Sequence, residues 1–352
     1  MFFEEIYVII ITKSIIWCER MVYVKIKANR IEVATTDKNA RKIEVVANRK
    51  KSWYRDRDFL QLLSMISIPA LLVFVFNYIP MAGIVIAFKN YKYNLGIFKS
   101  EWSGMKNFTA FIKSYDFPIL LKNTVFNNVL FIFFGILAAV VTALLLYKVT
   151  SRLKTKVFQT IMILPHFVSW VLVSYLVYIL FAPDTGLLNK MFEVLNIPTV
   201  DWYNTPAAWP VILTIVSIWK HFGMDLVVYY AALMGIDSSM LEAADVDGAS
   251  EFQKIWHIIL PTIRPLIIML TILKIGNIFR ADFGLFYNVT RNIGTLYDTT
   301  DVFDTYIFRM TREQGNFPMA SAAGLMQSVV GLVTIVIANK ISKKIDPDSG
   351  IF

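Results

Sequence analysis

Residues 59–88 pass without one charged side chain, as do 123–147 and, His166 aside, 157–183. Each run exceeds the roughly 20 apolar residues that a helix needs to cross a bilayer core. A soluble domain can bury one helix that is apolar on every side, but several in one chain exceed any single core. Lipid also dictates the conformation of such runs, because every backbone N–H and C=O must be satisfied within the segment. Composition agrees: the 352 residues are 56% hydrophobic and 17% charged, against about 25% charged in soluble domains. The expected fold class is an all-α integral membrane protein. The net charge of +9 would suggest nucleic acid in a soluble chain. Here basic residues flank the spans, as they do on the cytoplasmic side of membranes, and no nucleic-acid partner is expected. Cys18 is the one cysteine, so it has no intramolecular disulfide partner.

Residues 1–57 read as a basic cytoplasmic tail, with Lys38, Arg41, Lys42, Arg49, Lys50, Lys51, Arg55 and Arg57 suited to lipid headgroups. Glu4, Glu5 and Lys13 interrupt the apolar start, which has neither the length of a span nor the basic opening of a signal peptide. A second methionine, Met21, marks residues 1–20 as a possible extension of the true start. The membrane domain is expected over 58–345, with spans near 60–80, 123–147, 159–182, 209–233, 265–283 and 318–339, and a short tail at 346–352. Arg152, Lys154 and Lys156 place the link between spans 2 and 3 inside, and Lys340, Lys343 and Lys344 do the same for the C-terminus. Residues 89–122, 183–208 and 284–317 are then outside segments. In the first of these, Trp102, Phe108, Phe111 and Tyr115 are expected at the membrane interface.

The inside segment 234–264 is not a plain polar linker. Leu241 to Val246 favours a helix, with Glu242 and Asp245 expected near its start, where the helix dipole favours acids. Gly248 permits a sharp turn. Ser250 and Gln253 have the spacing of a capping box for a second helix. Phe252, Ile255, Trp256 and Ile259 are expected on one face of it, and Pro261 and Pro265 to end it before span 5. Ala243, Ala244, Gly248 and Ala249 make a ridge of small residues that another backbone could approach. On these residues alone the hairpin is either a docking surface or an amphipathic element lying on the membrane.

Glu242-Ala243-Ala244, three residues, Gly248, nine residues, Ile258, one residue and Leu260-Pro261 together resemble the EAA signature of binding-protein-dependent ABC permeases. The flanking sequence is similar to maltose-type carbohydrate permeases, in the branch associated with oligosaccharide or polysaccharide uptake in Gram-positive bacteria. Three further stretches carry that likeness: Tyr78-Ile79-Pro80-Met81-Ala82-Gly83 with Phe88-Lys89-Asn90-Tyr91, Ala281 to Tyr287, and Thr299-Thr300-Asp301-Val302 with Asp304-Thr305-Tyr306. The resemblance covers roughly 55–345. It implies a six-helix importer permease whose loop supplies a coupling helix to a cytoplasmic ATPase dimer. The coupling residues it implies are Glu242, Ala243, Ala244, Asp247, Gly248, Leu260 and Pro261, with Glu242 meeting a basic residue of the ATPase. It also implies a second homologous permease subunit, an extracellular solute-binding lipoprotein and a carbohydrate substrate. The chain has no G-x-x-x-x-G-K-[ST] phosphate loop. It is therefore expected to bind no cofactor and to be no enzyme, with ATP and Mg used by the partner ATPase.

Ionisable groups inside spans usually face a bundle interior or a water-filled path. Lys220 and Asp225 interrupt span 4, and Lys274, Arg280 and Asp282 interrupt span 5. Counted from the inside ends at ~1.5 Å per residue, Asp225 and Lys274 both lie ~12–14 Å deep, and Lys220 and Arg280 both ~20–23 Å. Asp225 and Lys274 are accordingly expected to pair, the alternative being snorkelling or pairing along each helix. Asn277 and Gln327 are candidates for the transport path or for packing. Trp170, Tyr175 and Tyr178 read as core or lipid-facing residues, and His166, His221 and His257 lack metal-ligand spacing. An ion-coupled secondary transporter would show inverted repeats with broken helices in matched halves, which are not evident. A membrane-embedded enzyme would need a nucleophile–base or metal constellation, also not evident. A permease for another solute class is the remaining alternative.

Overall fold

The computed structural model describes residues 57–345. The basic tail, Cys18, the Met21 start and the C-terminal tail lie outside the described residues. Among those described, five helices are long and apolar enough to cross a membrane, or six if one bent pair counts as a single span.

The chain divides into two units, one ending at Gly83 and one beginning at Ile84. In the first, helix α1 (Arg57–Val73) passes Pro69 and runs through a widened π turn (Phe74–Tyr78) into Ile79–Met81. Phe74 and Tyr78 stack across that turn at 5.9 Å.

The second unit opens on a two-stranded antiparallel ribbon, β1 (Lys89–Asn90) with β2 (Glu101–Trp102). Helix α2 (Lys106–Ile112) and the 32-residue α3 (Asp116–Tyr147) follow. Phe108 and Phe111, expected at the interface, are buried instead, while Trp102 and Tyr115 are exposed. The reason is that residues 303–323 supply a core at this end: Phe111 packs with Leu120, Phe303, Tyr306 and Ala323. Asn123 and Asn127 of α3 donate to the carbonyls of Tyr297, Asp301 and Thr299. The segment 284–317 is thus a packed cap. It is braced by a buried Asp301–Arg309 pair with two hydrogen bonds, 3.1 and 2.5 Å, and by Tyr297 stacked on the guanidinium. Burial pushes the Asp301 carboxyl up from its ordinary range, against the pull of Arg309.

Span 3 departs from the expected straight helix over 159–182. Helix α4 (Arg152–Ile163) tightens into a 3₁₀ turn (Leu164–Phe167), and α5 (Trp170–Phe181) leaves at 96°. Pro165 lacks an N–H and disturbs the preceding turn. Ser169 then starts a new helix by accepting from the Leu172 N–H. The following segment 183–208, whose Pro183, Asp184, Gly186 and Pro198 read as an outside loop, contains helix α6 (Leu187–Val194).

Helix α7 (Trp209–Leu233) matches the expected fourth span. It lies along α3, where Ala139, Ala143 and Leu146 meet Leu226, Tyr229 and Leu233. Gly223 lets it touch α4: a Cβ there would lie 2.0 Å from the Met162 carbonyl oxygen.

Helix α8 (Ser238–Val246) and α9 (Glu251–Lys254) form the hairpin before span 5. Pro261 and Pro265 do not stop the second helix. It continues through a π turn (Ile255–Ile259) into α10 (Leu260–Gly276), with Pro265 inside. The widened turn takes up the disturbance that the Pro261 ring causes one turn earlier, so the chain bends its hydrogen bonding there rather than ending it. Span 5 therefore ends at Gly276 instead of 283, and Arg280 and Asp282 lie beyond the helix. Helices α11 (Phe303–Arg312) and α12 (Phe317–Ile345) complete the unit. A Cβ on Gly276 would meet Ile335 of α12 at 2.8 Å.

Candidate functional site

Two arrangements are chemically informative: the hairpin α8–α9 and a polar cavity between α3, α7 and α10.

The hairpin is closed by three local devices. Asp237 caps α8, its Oδ1 accepting from the Ser239 N–H at 2.9 Å, and that bond holds its carboxyl below the ordinary range. At the other end Gly248 has φ +74°. Gly248 N–H donates to Asp245 O and Ala249 N–H to Ala244 O, the paired bonds of a Schellman stop. Ser250 and Gln253 then form the expected capping box. Helix α8 starts at Ser238 rather than Leu241, so Glu242 lies mid-helix and Asp245 near its C-terminal end. The dipole argument for those two acids therefore fails. Asp245 is held by Lys254, whose Nζ also contacts Glu251, while Lys148 at the end of α3 reaches Glu251 at 3.4 Å.

This lysine bracket was missed in the sequence, because Asp245 and Lys254 become neighbours only when Gly248 folds α9 back. The four apolar residues expected on one face are split: Ile259 is buried and Ile255 half-buried in the core, whereas Phe252 and Trp256 are exposed. The π turn shifts the helical phase between them. Of the expected coupling residues, Glu242, Ala243, Asp247, Gly248 and Pro261 are exposed. Ala244 is buried, and Leu260 packs into the core beneath. Glu242 makes no ion pair among the described residues.

The cavity, about 340 Å³, is lined by Asn128 and Phe131 of α3, Ser217, His221, Phe222 and Asp225 of α7, Leu273 and Lys274 of α10, and Asn277 and Arg280 beyond it. Lys274 Nζ donates to Asp225 Oδ2 at 2.7 Å, the pairing that equal depth predicts. Four of the seven expected path residues, Asp225, Lys274, Asn277 and Arg280, thus share one space. The other three do not line it.

Lys220 is buried and donates to the carbonyls of Pro165, His166 and Val168, with its ammonium 4.9 Å from the Trp170 ring. It satisfies the backbone that the bend of span 3 leaves open, and it is not joined to Arg280. Asp282 accepts from the Gly284 and Leu285 N–H groups and from Trp170 Nε1 at 3.0 Å. Gln327 donates to Phe279 O and to Asp304 Oδ2, which also takes the Ala281 N–H. Gln327 therefore fixes the segment after α10. His221 lies 3.9 Å from Asp282 and lines the cavity. Its signal in the sequence is a polar ring inside an apolar span.

Membrane-crossing helices with a compact helix–turn–helix before the last-but-one of them fit the membrane subunit of an ABC importer, and the family match shows that class. Residues 132–347 match the family described as binding-protein-dependent transport system inner membrane component, and the chain belongs to it. It is 37% identical to Protein LplB of Bacillus subtilis (strain 168) over 88% of this chain and 96% of LplB. It is 35% identical to the polygalacturonan/rhamnogalacturonan transport system permease protein YteP of the same strain, over 82% and 90%. Among solved structures it superposes, with TM-score 0.76 and 33% identity over 84% of this chain and 99% of the other, on a chain of a bacterial ABC transporter that imports the acidic polysaccharide alginate. That transporter has also been solved with an alginate pentasaccharide-bound periplasmic protein. The chain is a multi-pass membrane protein and a transport permease subunit.

Proposed function

We propose that this subunit carries oligosaccharides or polysaccharide fragments across a bacterial plasma membrane, driven by ATP that a separate ATPase dimer hydrolyses with Mg. The observation that carries the mechanism is the hairpin. Its fold is fixed from within by the Lys254 bracket and the Gly248 turn, which leaves Glu242, Ala243 and Asp247 exposed for a partner. A rigid helix that presents an unpaired carboxylate suits docking into a basic cleft. In this reading both termini and the hairpin are cytoplasmic, a second homologous permease completes the pathway, and an extracellular solute-binding lipoprotein delivers the sugar. ATP-driven closure draws the two coupling helices together and opens the cavity outward. The carbohydrate assignment rests on YteP and the alginate importer. This chain binds no cofactor of its own and catalyses no reaction.

The test is capture of the tagged protein from mild detergent with identification of every co-purifying chain. The expected result is an ATPase and a second permease, with the ATPase lost in Glu242→Lys. Recovery of a single stable chain that behaves identically with Glu242→Lys would reopen the secondary-transporter reading. ATP-dependent uptake of sugars but not amino acids separates the carbohydrate reading from other solutes.

A further inference from the structure

We infer that a groove between α10 and α12 holds one acyl chain of an anionic phospholipid, whose phosphate rests on Arg264 and Lys344. The site is separate from the transport cavity, to which α10 presents Leu273 and Lys274 instead.

Helices α10 and α12 run in opposite directions and meet closely at Gly276, where a Cβ would lie 2.8 Å from Ile335. A small residue allows that approach between membrane helices. Toward the start of α10 the facing residues are bulky, and a groove of about 350 Å³ opens. Ile268, Thr271 and Ile275 form one wall, and Thr334, Ile337 and Ile341 the other. Both helices here belong to stretches apolar enough to cross the bilayer.

The lining selects a hydrocarbon occupant. The two hydroxyls turn back onto their own helices, Thr271 Oγ1 donating to Ile267 O at 2.6 Å and Thr334 Oγ1 to Val330 O at 2.9 Å. A water in such a space needs at least two polar partners, and the groove offers little beyond those committed hydroxyls. An acyl chain needs none and gains the dispersion contacts that an empty groove forfeits.

The open end of the groove selects the headgroup. The stripe Ile275, Thr271, Ile268 continues at helical spacing to Arg264, and the stripe Thr334, Ile337, Ile341 continues to Lys344. Each cation lies one turn past the groove, about 5–6 Å along its axis. Because the helices are antiparallel, both reach the same mouth. Both are exposed, and their long stems let the charged heads settle in the headgroup layer. A guanidinium fork and an ammonium together suit a phosphodiester. A zwitterionic lipid brings its own cation beside the phosphate and gains less. A single basic residue is ordinary at the end of a span; two of them, converging from different helices on the mouth of a dry groove, make a lipid site.

The test uses the protein purified with its partner subunits and placed in nanodiscs. The probes are phosphatidylglycerol and phosphatidylcholine with the same diazirine-bearing acyl chain, and labelled peptides are identified by mass spectrometry. Wild type is expected to be labelled in 267–275 and 334–341, about threefold or more by phosphatidylglycerol over phosphatidylcholine. Arg264→Gln with Lys344→Gln should bring the two lipids to equal labelling by lowering the first alone. Thr271→Trp, which fills the groove, should abolish labelling of 334–341 by both while labelling of α3 stays unchanged. Equal labelling by the two lipids in wild type would mean ordinary annular lipid only and overturn the inference. A preference that survives the double substitution would overturn the role of Arg264 and Lys344. Absence of label from both peptides, with chemical cross-links from them to α1 or to a second permease, would overturn it by showing that protein fills the groove.

Discussion

Asp225 on α7 and Lys274 on α10 are 49 residues apart in sequence and joined by a 2.7 Å hydrogen-bonded ion pair. Each side chain keeps some exposure to the cavity, 23% and 33% respectively. Neutralising one partner strands the other charge at membrane depth. A fully buried pair broken this way costs about 3–5 kcal/mol, and the residual exposure here lowers the expected loss to roughly 1–3 kcal/mol. Asp225→Asn and Lys274→Met should each lower the unfolding temperature in detergent, and the swap Asp225→Lys with Lys274→Asp should recover most of the loss. A swap no better than the worse single variant would show that the pair is not acting as a unit.

Gly248 lies in the left-handed region at φ +74°, and a Cβ there would meet nothing within 4 Å. The cost of replacing it is therefore conformational, about 1–2 kcal/mol for an ordinary residue and less for asparagine. Gly248→Val should loosen the hairpin and cut ATP-driven uptake severely while the protein still inserts normally. Gly248→Asn should retain much more uptake than Gly248→Val. Equal activity in the two variants would sever the link between turn geometry and coupling.

Gly223 separates α7 from the backbone of α4, where a Cβ would lie 2.0 Å from Met162 O and 2.5 Å from its carbonyl carbon. Backbone cannot swing aside as a side chain can, so Gly223→Ala must push the helices apart. The expected cost is about 1–3 kcal/mol or more. Gly331→Ala is the control, since its Cβ would meet nothing within 4 Å, and it should be neutral in the same thermal assay. Similar stability for both variants would contradict the close approach.

Where residues reported their surroundings depended on how local the governing physics was. Apolar runs coincide with the long helices α3, α7 and α12, because a bilayer imposes its length on each helix separately, but they showed neither the break in span 3 nor the early end of span 5. The capping box at Ser250 and the turn at Gly248 were equally local, and both are present. The depths of Asp225 and Lys274 needed only the helical rise. What sequence reading lost was set by contacts across the fold. Phe108 and Phe111 resembled interfacial aromatics until residues 303–323 supplied their core. Pro261 and Pro265 resembled helix stops, but the π turn that relieves Pro261 has no sequence mark of its own, and Pro265 is carried inside α10. Arg280 counted as a residue within a span until the early end of α10 at Gly276 left it beyond the helix, among the residues that line the cavity. The role of Lys220 could not be read at all without knowing that span 3 breaks beside it.

That role gives the last prediction. Lys220 lies on α7, yet its ammonium is spent on α4–α5, donating to Pro165, His166 and Val168 carbonyls at the 96° break. A broken span is tolerated in a membrane only where its freed backbone groups find partners. The Trp170 ring beside Lys220 is fixed in turn by its Nε1 bond to Asp282, and Gly284 leaves room for it. Lys220→Met keeps the apolar stem and removes the donors, so each orphaned carbonyl should cost about 1–3 kcal/mol. The loss should be local. Hydrogen–deuterium exchange should rise in peptides covering 164–172, with little change in those covering α8 and α9. Lys220→Arg, which retains donors, should fall between Lys220→Met and wild type. Unchanged exchange around the break in Lys220→Met would mean that the bend is held by packing alone.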